Sequence, residues 1–372
     1  MEDIMNTPLS LVLKKIFNTP IKQLPQKILR GYKHYLLSYP SGITLQTVVA
    51  CNLKCKHCFI NDFGNTIPDG HKGMMNFKDF KNIVNRLKKL IKRTNEFYFS
   101  TFEALLHKDI FKMMDYLLEI NPKLQFPLVT NAMTIDDQKL NQLLKYPIPS
   151  YTISLDGVRK DAVENFKIGL SFEKVIATIK KIIELDKNAS VGTVFVLHKN
   201  NVNELKEYPD FVNSLGVKKI LINNLMSFSS KFTDQYLYTK NGNKKVEDIF
   251  EYIIKRAEAN GQQIWLPLMK PKQMGCRQCE SLFIDINGNV PPCDMLSVST
   301  PFEFFGKIKQ NQPIIFGNVY HQDPLKIYRS KAYKQFRLKH RKGKNLPQPC
   351  QFCIDAYGLL CSHRKVYGMV SD

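Results

Sequence analysis

The chain has no run of about eighteen uncharged apolar residues, the length a helix needs to cross a bilayer, so any membrane contact is expected to be peripheral. Arginine is scarce, with 10 among 54 basic residues. Base and phosphate recognition leans on the forked guanidinium, so a lysine-dominated surplus reads against nucleic acid as the partner. Acidic residues are also few, 33 against 54, leaving a formal net charge of +21. Lys88, Lys89 and Lys92 alternate with Leu87, Leu90 and Ile91 as on the wet face of an amphipathic helix. The surplus therefore reads first as solvated surface, and second as attraction for an acidic partner: a peptide, an anionic sugar or phosphate, RNA or anionic lipid. No n-region, h-region and small-residue cleavage site opens the chain, and nine cysteines is an odd number. A secreted disulfide framework is thus not expected, and a reducing cytoplasm with metal-bound thiols fits better.

What is present is organised around those cysteines, which fall into three tight triplets within 372 residues. Cys51-x3-Cys55-x2-Cys58, followed by Phe59, puts three thiols and an aromatic in one loop. Three thiolates can bind three irons of a cubane and leave the fourth open to a small molecule. Structural zinc prefers closed four-coordinate sites built from paired C-x2-C arms, and this triplet has no such pair. Cys276-x2-Cys279-x13-Cys293 and Cys350-x2-Cys353-x7-Cys361 lie far downstream. There, zinc held by one arm from each triplet stays open beside an iron–sulfur cluster.

Length and pattern suggest three segments: basic amphipathic helices over 1–40, an α/β unit over 41–240, and a cysteine-rich tail over 241–372. The first carries helical spacing in Leu9 to Phe17 and Ile28 to Leu36, a membrane-surface or docking candidate over residues 9–37. In the second, short apolar runs (Ile43–Val49, Phe97–Phe99, Phe126–Val129, Tyr151–Leu155, Val191–Leu197, Lys219–Ile222) alternate with helical patterns. The helical ones are Phe77–Leu90, Phe111–Leu118, Asp136–Leu144, Phe172–Leu185 and Val202–Leu215. That alternation predicts a parallel sheet, closed or partly closed into a barrel, with functional groups at the strands' C-terminal ends. Cys51, then Ser100, Thr101 and Glu103, then Thr130 and Asn131, then Ser154 and Asp156 fall at those ends. In the tail, Leu282–Ile286 with the turn Asn287-Gly288-Asn289 reads as a hairpin, and otherwise loops and short strands are expected. His57 reads as a solvated spacer, and His107 as a cap or packing group for the following helix.

The C-x3-C-x2-C-aromatic loop after a first strand resembles that of the radical S-adenosylmethionine (radical SAM) enzymes, and the resemblance runs over roughly residues 41–365. It implies a partial (β/α)6 TIM-like barrel in which Cys51, Cys55 and Cys58 hold a [4Fe–4S] cluster and Phe59 lies near the adenine of S-adenosylmethionine. One electron then cleaves the sulfonium, and the resulting 5'-deoxyadenosyl radical removes a substrate hydrogen. Thr101-Phe102-Glu103-Ala104 stands where the family shows Gly-Gly-Glu-Pro: the acid that receives the methionyl ammonium is kept, the glycines and proline are not. Val129-Thr130-Asn131-Ala132 and Ser154-Leu155-Asp156-Gly157 resemble segments near the ribose and methionine, which implies cofactor contacts for Thr130, Asn131, Ser154 and Asp156. Gly288-x4-Cys293 and Cys350-x2-Cys353 are similar to the SPASM and twitch extensions. They imply that Cys276, Cys279, Cys293, Cys350, Cys353 and Cys361 serve one or two auxiliary iron–sulfur clusters. Tyr357 and Cys361 are then candidates for giving a hydrogen atom to a substrate radical.

The expected function is hydrogen abstraction from a peptide or protein, with a flavodoxin- or ferredoxin-type electron donor. The alternatives are the same chemistry on a carbohydrate, aminoglycoside or lipid-linked substrate, and a non-catalytic iron–sulfur or zinc module for RNA or a partner protein.

Overall fold

The structure is a computed structural model that describes residues 38–58, 60, 73–226, 228, 230–360 and 366–367. The N-terminal helical patterns over 9–37, Phe59 and Cys361 lie outside the described residues.

Short β-branched and aromatic runs form the strands β1 (Ile43–Leu45), β2 (Phe97–Tyr98), β3 (Leu128–Thr130), β4 (Ser150–Ser154), β5 (Ser190–Leu197), β6 (Lys219–Asn224) and β7 (Gln263–Trp265). β1 pairs in parallel with β2, and β3 to β7 pair in parallel in sequence order. A parallel bridge between Glu96 and Gln125 joins the two sets. The result is a partial parallel barrel of α/β type.

Its outer layer is α1 (Phe77–Ile91), α2 (Ile110–Ile120), α3 (Asp137–Leu143), α4 (Lys160–Phe166), α5 (Phe172–Leu185), α6 (Tyr208–Ser214) and α7 (Lys244–Ala259). α1 shows why such segments are helical. Asn76 caps it by accepting from the Asp79 N–H, and Lys88 and Lys89 sit in its last turn, where the helix dipole favours cations. Phe80, Ile83, Val84, Leu87, Leu90 and Ile91 face inward. Each such burial contributes roughly 1.5–3 kcal/mol.

Three expectations need correction. Val202–Leu215 is not one helix: a 3₁₀ segment, Val202–Lys206, precedes α6. Pro209 at the start of α6 lacks an N–H and restricts the residue before it, which favours a break there. Past residue 240 the chain does not change to loops, because Val246, Phe250, Ile253 and Ala257 lie along one buried stripe and make α7, which leads into β7. Finally, Leu282–Ile284 (β8) is not half of a hairpin. It runs parallel to β1, with Ile43 opposite Leu282, and all three of its residues are buried. The other end of the barrel is also covered from the tail, where Val366–Tyr367 pairs antiparallel with β7.

Candidate active site and metal centre

The loop Cys51–Cys58 leaves the C-terminal end of β1 and is pinned from several sides. Lys54–Cys55 pairs antiparallel with Lys167–Ile168, and the Lys56 N–H donates to the Phe166 carbonyl at 3.0 Å. The Leu53 N–H points at the Cys51 Sγ at 3.4 Å, and the Cys58 N–H closes a turn on the Cys55 carbonyl at 3.1 Å. From β3, the Asn131 amide donates to Asn52 Oδ1 at 2.9 Å and to Cys51 Sγ at 3.6 Å.

Burial pushes the Cys51 thiol up, and pushes Cys55 up to about 12 against the opposing charge of Lys167, with Cys58 and Cys51 adding to the rise. Thiols held so close to protonation by burial and by one another suit a bound cation, which would keep them ionised. Among the described residues no three His, Cys, Asp or Glu side chains sit closely enough to hold a single ion. A cubane instead takes each thiolate on a separate iron.

Glu103 follows β2 and is buried. Its carboxylate accepts from the Thr130 hydroxyl and the Asn131 N–H, both at 2.9 Å, while burial raises its pKa. The structure therefore brings Cys51, Glu103, Thr130 and Asn131 together in one network. Ser154 and Asp156, after β4, form a second group around a residue the sequence reading missed. Lys167 is 3% exposed, donates to Ser154 Oγ and lies 3.2 Å from Asp156 Oδ2. Asp156 Oδ1 takes the Val196 N–H at 3.0 Å. A lone lysine at the end of α4 carries no spacing signal; only the antiparallel pairing with Cys55 reveals it.

His57 is not a solvated spacer. Its ring stacks on Phe166 at 4.9 Å, Phe166 stacks on His198 at 4.0 Å, and burial lowers the pKa of His57 to about 3 and of His198 to about 4. His107 does pack and cap, its Nε2 lying 2.7 Å from the Met75 carbonyl while Nδ1 accepts from the Asp109 N–H at the start of α2.

In the tail, the second triplet meets Cys350 and Cys353 of the third. The N–H groups of Met274 and Gly275 both donate to the Ala356 carbonyl at 2.9 Å, which brings Cys276 beside the Cys350–Cys353 turn. Burial drives Cys276 and Cys293 well up, with neighbouring thiols adding to it: Cys279, Cys293 and Cys353 for Cys276, and Cys350 and Cys353 for Cys293. Cys353 is pushed up to about 12, and Cys350 also rises. Cys279 reaches about 12 although the charge of Arg337 opposes the rise. Arg337 is itself fully buried, its guanidinium 3.7 Å from the ring centre of Tyr328 and 4.5 Å from that of Tyr333. Helix α8 (Pro324–Arg329) and helix α9 (Lys331–Lys342) carry these three residues, and α9 also presents His340 Nδ1 to the Cys276 N–H at 3.2 Å. Five thiols thus form one group with the chemistry of an iron–sulfur ligand set.

Asp294, next to Cys293, was also missed. Its carboxyl is raised by burial, an effect that the nearby Thr101, on the segment carrying Glu103, and the Met295 N–H oppose. Tyr357 is half-buried against Phe304 at 5.2 Å. A cavity of about 260 Å³, lined by Ser150, Ser190, Lys219 and Trp265, lies towards the strands' N-terminal ends, away from this chemistry.

Comparison with known proteins agrees with this architecture. The model of the Radical SAM superfamily matches residues 45–212, and that of the iron–sulfur cluster-binding SPASM domain matches residues 276–354. The chain is 24% identical over 303 residues to a tungsten-containing aldehyde ferredoxin oxidoreductase cofactor-modifying protein of Pyrococcus furiosus, covering 79% of this chain and 82% of that one. It is 25% identical over 177 residues to GTP 3',8-cyclase of Clostridium botulinum, covering 46% of this chain and 54% of that one. Among solved structures, anSMEcpe with bound AdoMet and a peptide shares the fold at a TM-score of 0.61 and 17% identity, covering 86% of this chain and 87% of that one. SuiB of Streptococcus suis does so at 0.59 and 16%, covering 89% and 75%. With both domain models matched in this order, the chain belongs to the radical SAM superfamily, as an enzyme that takes a [4Fe–4S] cluster and S-adenosylmethionine in one half and auxiliary iron–sulfur in a SPASM domain.

Proposed function

We propose that this enzyme abstracts a hydrogen from a peptide or protein substrate held between the Glu103 segment and the auxiliary thiol group. When bound, the first cluster and S-adenosylmethionine supply one-electron sulfonium cleavage and a hydrogen-abstracting radical, and the auxiliary cluster an electron sink. Cys51, Cys55 and Cys58 hold the first cluster, and the five thiols of the tail provide the auxiliary ligands. Glu103, fixed by Thr130 and Asn131, receives the methionyl ammonium through a charge-assisted hydrogen bond. Lys167, between Ser154 and Asp156, presents a positive charge to the methionyl carboxylate. Asp294, raised by burial, takes up the proton that an oxidised substrate sheds. The observation that carries the reading is the parallel pairing of β8 with β1, which supports a site where the strand leading to Cys293 runs beside the strand leading to Cys51.

The net charge of +21 suits an acidic peptide and an acidic flavodoxin- or ferredoxin-type donor. Proteins sharing this fold include SuiB bound to the precursor peptide SuiA and anSMEcpe with bound peptide. A second reading, a nucleotide or a cofactor as substrate, is favoured by the likeness to GTP 3',8-cyclase and to the cofactor-modifying protein of Pyrococcus furiosus. The test is anaerobic incubation of reconstituted protein with S-adenosylmethionine, a reductant and deuterated substrates. Deuterium in 5'-deoxyadenosine from peptides, absent in Cys55→Ala, is expected. Label arriving from GTP or a carbohydrate and from no peptide overturns the peptide reading.

A further inference from the structure

The strands β9 (Pro301–Phe304) and β10 (Lys307–Gln310) form a two-stranded hairpin between the second and third cysteine triplets. Its two faces differ. Phe302 and Glu303 of β9 are buried, whereas all four residues of β10 are exposed, Ile308 at 50%. Phe305 and Gly306 connect the strands at φ 50° and 81°, the left-handed pair of a tight hairpin turn.

The register leaves one edge open. The Asn311 N–H donates to the Thr300 carbonyl, and the strands pair Phe302 with Lys309 and Phe304 with Lys307. Antiparallel pairs alternate, so the backbone of Lys307 and Lys309 turns inward to β9 while that of Ile308 and Gln310 turns outward. No further strand pairs with β10 among the described residues. An edge of this kind takes up an extended chain by strand addition, with alternate side chains of the guest entering pockets.

One such pocket lies beside it. Phe302, Pro349 and Phe352 wall a cavity of about 150 Å³ that is rimmed by Lys309, Gln310 and Gln348. The Lys309 ammonium sits 5.7 Å from the centre of the Phe352 ring and has no carboxylate within ion-pair distance among the described residues. Lys240 repeats the arrangement over Phe305, at 5.9 Å. The single acid of the hairpin, Glu303, is buried and spends an oxygen on the Gly306 N–H, so it does not neutralise this rim. Apolar walls, amide donors and an uncompensated ammonium together select a carboxylate on a short stem. Phe352 lies between Cys350 and Cys353, so the pocket adjoins the auxiliary thiols.

We propose that the Pro301–Gln310 hairpin docks an acidic, extended stretch of the substrate peptide as an added strand, with a Glu or Asp side chain seated beside Lys309. This rests on the peptide reading above and names the class of peptide: one with acids at alternate positions close to the modified residue.

The test uses the full-length, anaerobically reconstituted protein and fluorescence anisotropy of a labelled (Glu-Val)5 decamer. Saturable binding is expected. It should weaken about tenfold in Lys309→Glu, recover in Lys309→Arg, and weaken about tenfold when the peptide is N-methylated at alternate residues, which removes its backbone donors. An unchanged iron content and visible spectrum establish that Lys309→Glu is folded. Equal binding of (Lys-Val)5, wild-type affinity in Lys309→Glu, or indifference to N-methylation overturns the proposal. If deuterium still passes from a peptide to 5'-deoxyadenosine in that case, only the docking surface falls. If instead a single-stranded RNA 20-mer binds and no peptide gives label, the peptide reading falls with it.

Discussion

At the scale of single residues the decisive group is Lys167. An ammonium that is 3% exposed survives only if paired, and its partners are Asp156 and Ser154. Removing it leaves the Asp156 carboxylate buried without its cation, a loss of about 3–5 kcal/mol in comparable buried pairs. Lys167→Met is therefore expected to lower the melting temperature and to weaken equilibrium binding of S-adenosylmethionine roughly tenfold or more, the worth of a charge-assisted contact. Lys167→Arg should recover part of both. Wild-type affinity in Lys167→Met, measured by equilibrium dialysis, would exclude the assigned role. Cys51, Glu103, Thr130 and Asn131 were legible in the sequence because each lies at or within a few residues of a strand's C-terminal end, and strand ends of a parallel barrel share a rim. Lys167 and Asp294 were not, because each reaches the site through a contact between segments that no local spacing encodes. The reading of His57 failed for a related reason: Phe166, which stacks on its ring, and His198, which stacks on Phe166, both lie more than a hundred residues further along the chain.

At the scale of elements, local chemistry was readable and pairing partners were not. The turn Asn287-Gly288-Asn289 is present, with Gly288 at φ 77° and Asp285 accepting from the Asn287 and Asn289 N–H groups. The strand before it is three buried apolar residues, Leu282–Ile284, which fit the edge of β1 as well as they fit a hairpin. Tertiary packing made the choice. That turn sets the path from β8 to Cys293, and a Cβ on Gly288 would lie 2.7 Å from the Tyr320 ring as well as demand a left-handed alanine. Gly288→Ala is expected to destabilise the protein by about 1–3 kcal/mol and to lower the auxiliary iron content selectively. Thermal melts and iron analysis check this. A variant with native stability and full iron would mean that the turn has no part in seating Cys293.

At the scale of the whole molecule, the barrel was foreseen because strands and helices alternate along it, but the tail's strands at both barrel edges were not, since edge pairing joins residues more than a hundred positions apart. That closure buries polar groups, and the burial has a pH signature. The folded pKa values of His57, His198 and His340 are lowered to about 3, 4 and 4, chiefly by burial. The unfolded chain protonates these rings near pH 6.5 while the folded one does not. Stability should therefore fall as pH drops from about 6.5 towards 4, by up to about 1.4 kcal/mol per pH unit for each ring. Glu103 and Asp294 work in the opposite sense: their carboxyls are raised by burial, so they favour the folded state as pH falls through their folded pKa. His57 and His340 touch the cysteine loops, where loss of metal in acid adds its own slope. His198 stands on β5's C-terminal side, stacked on Phe166, and isolates the effect. Urea melts of wild type and His198→Gln between pH 7 and 5 should converge as the pH falls, the variant lacking one buried ring to protonate on unfolding. If the two curves stay parallel over that range, His198 is not held neutral by the fold.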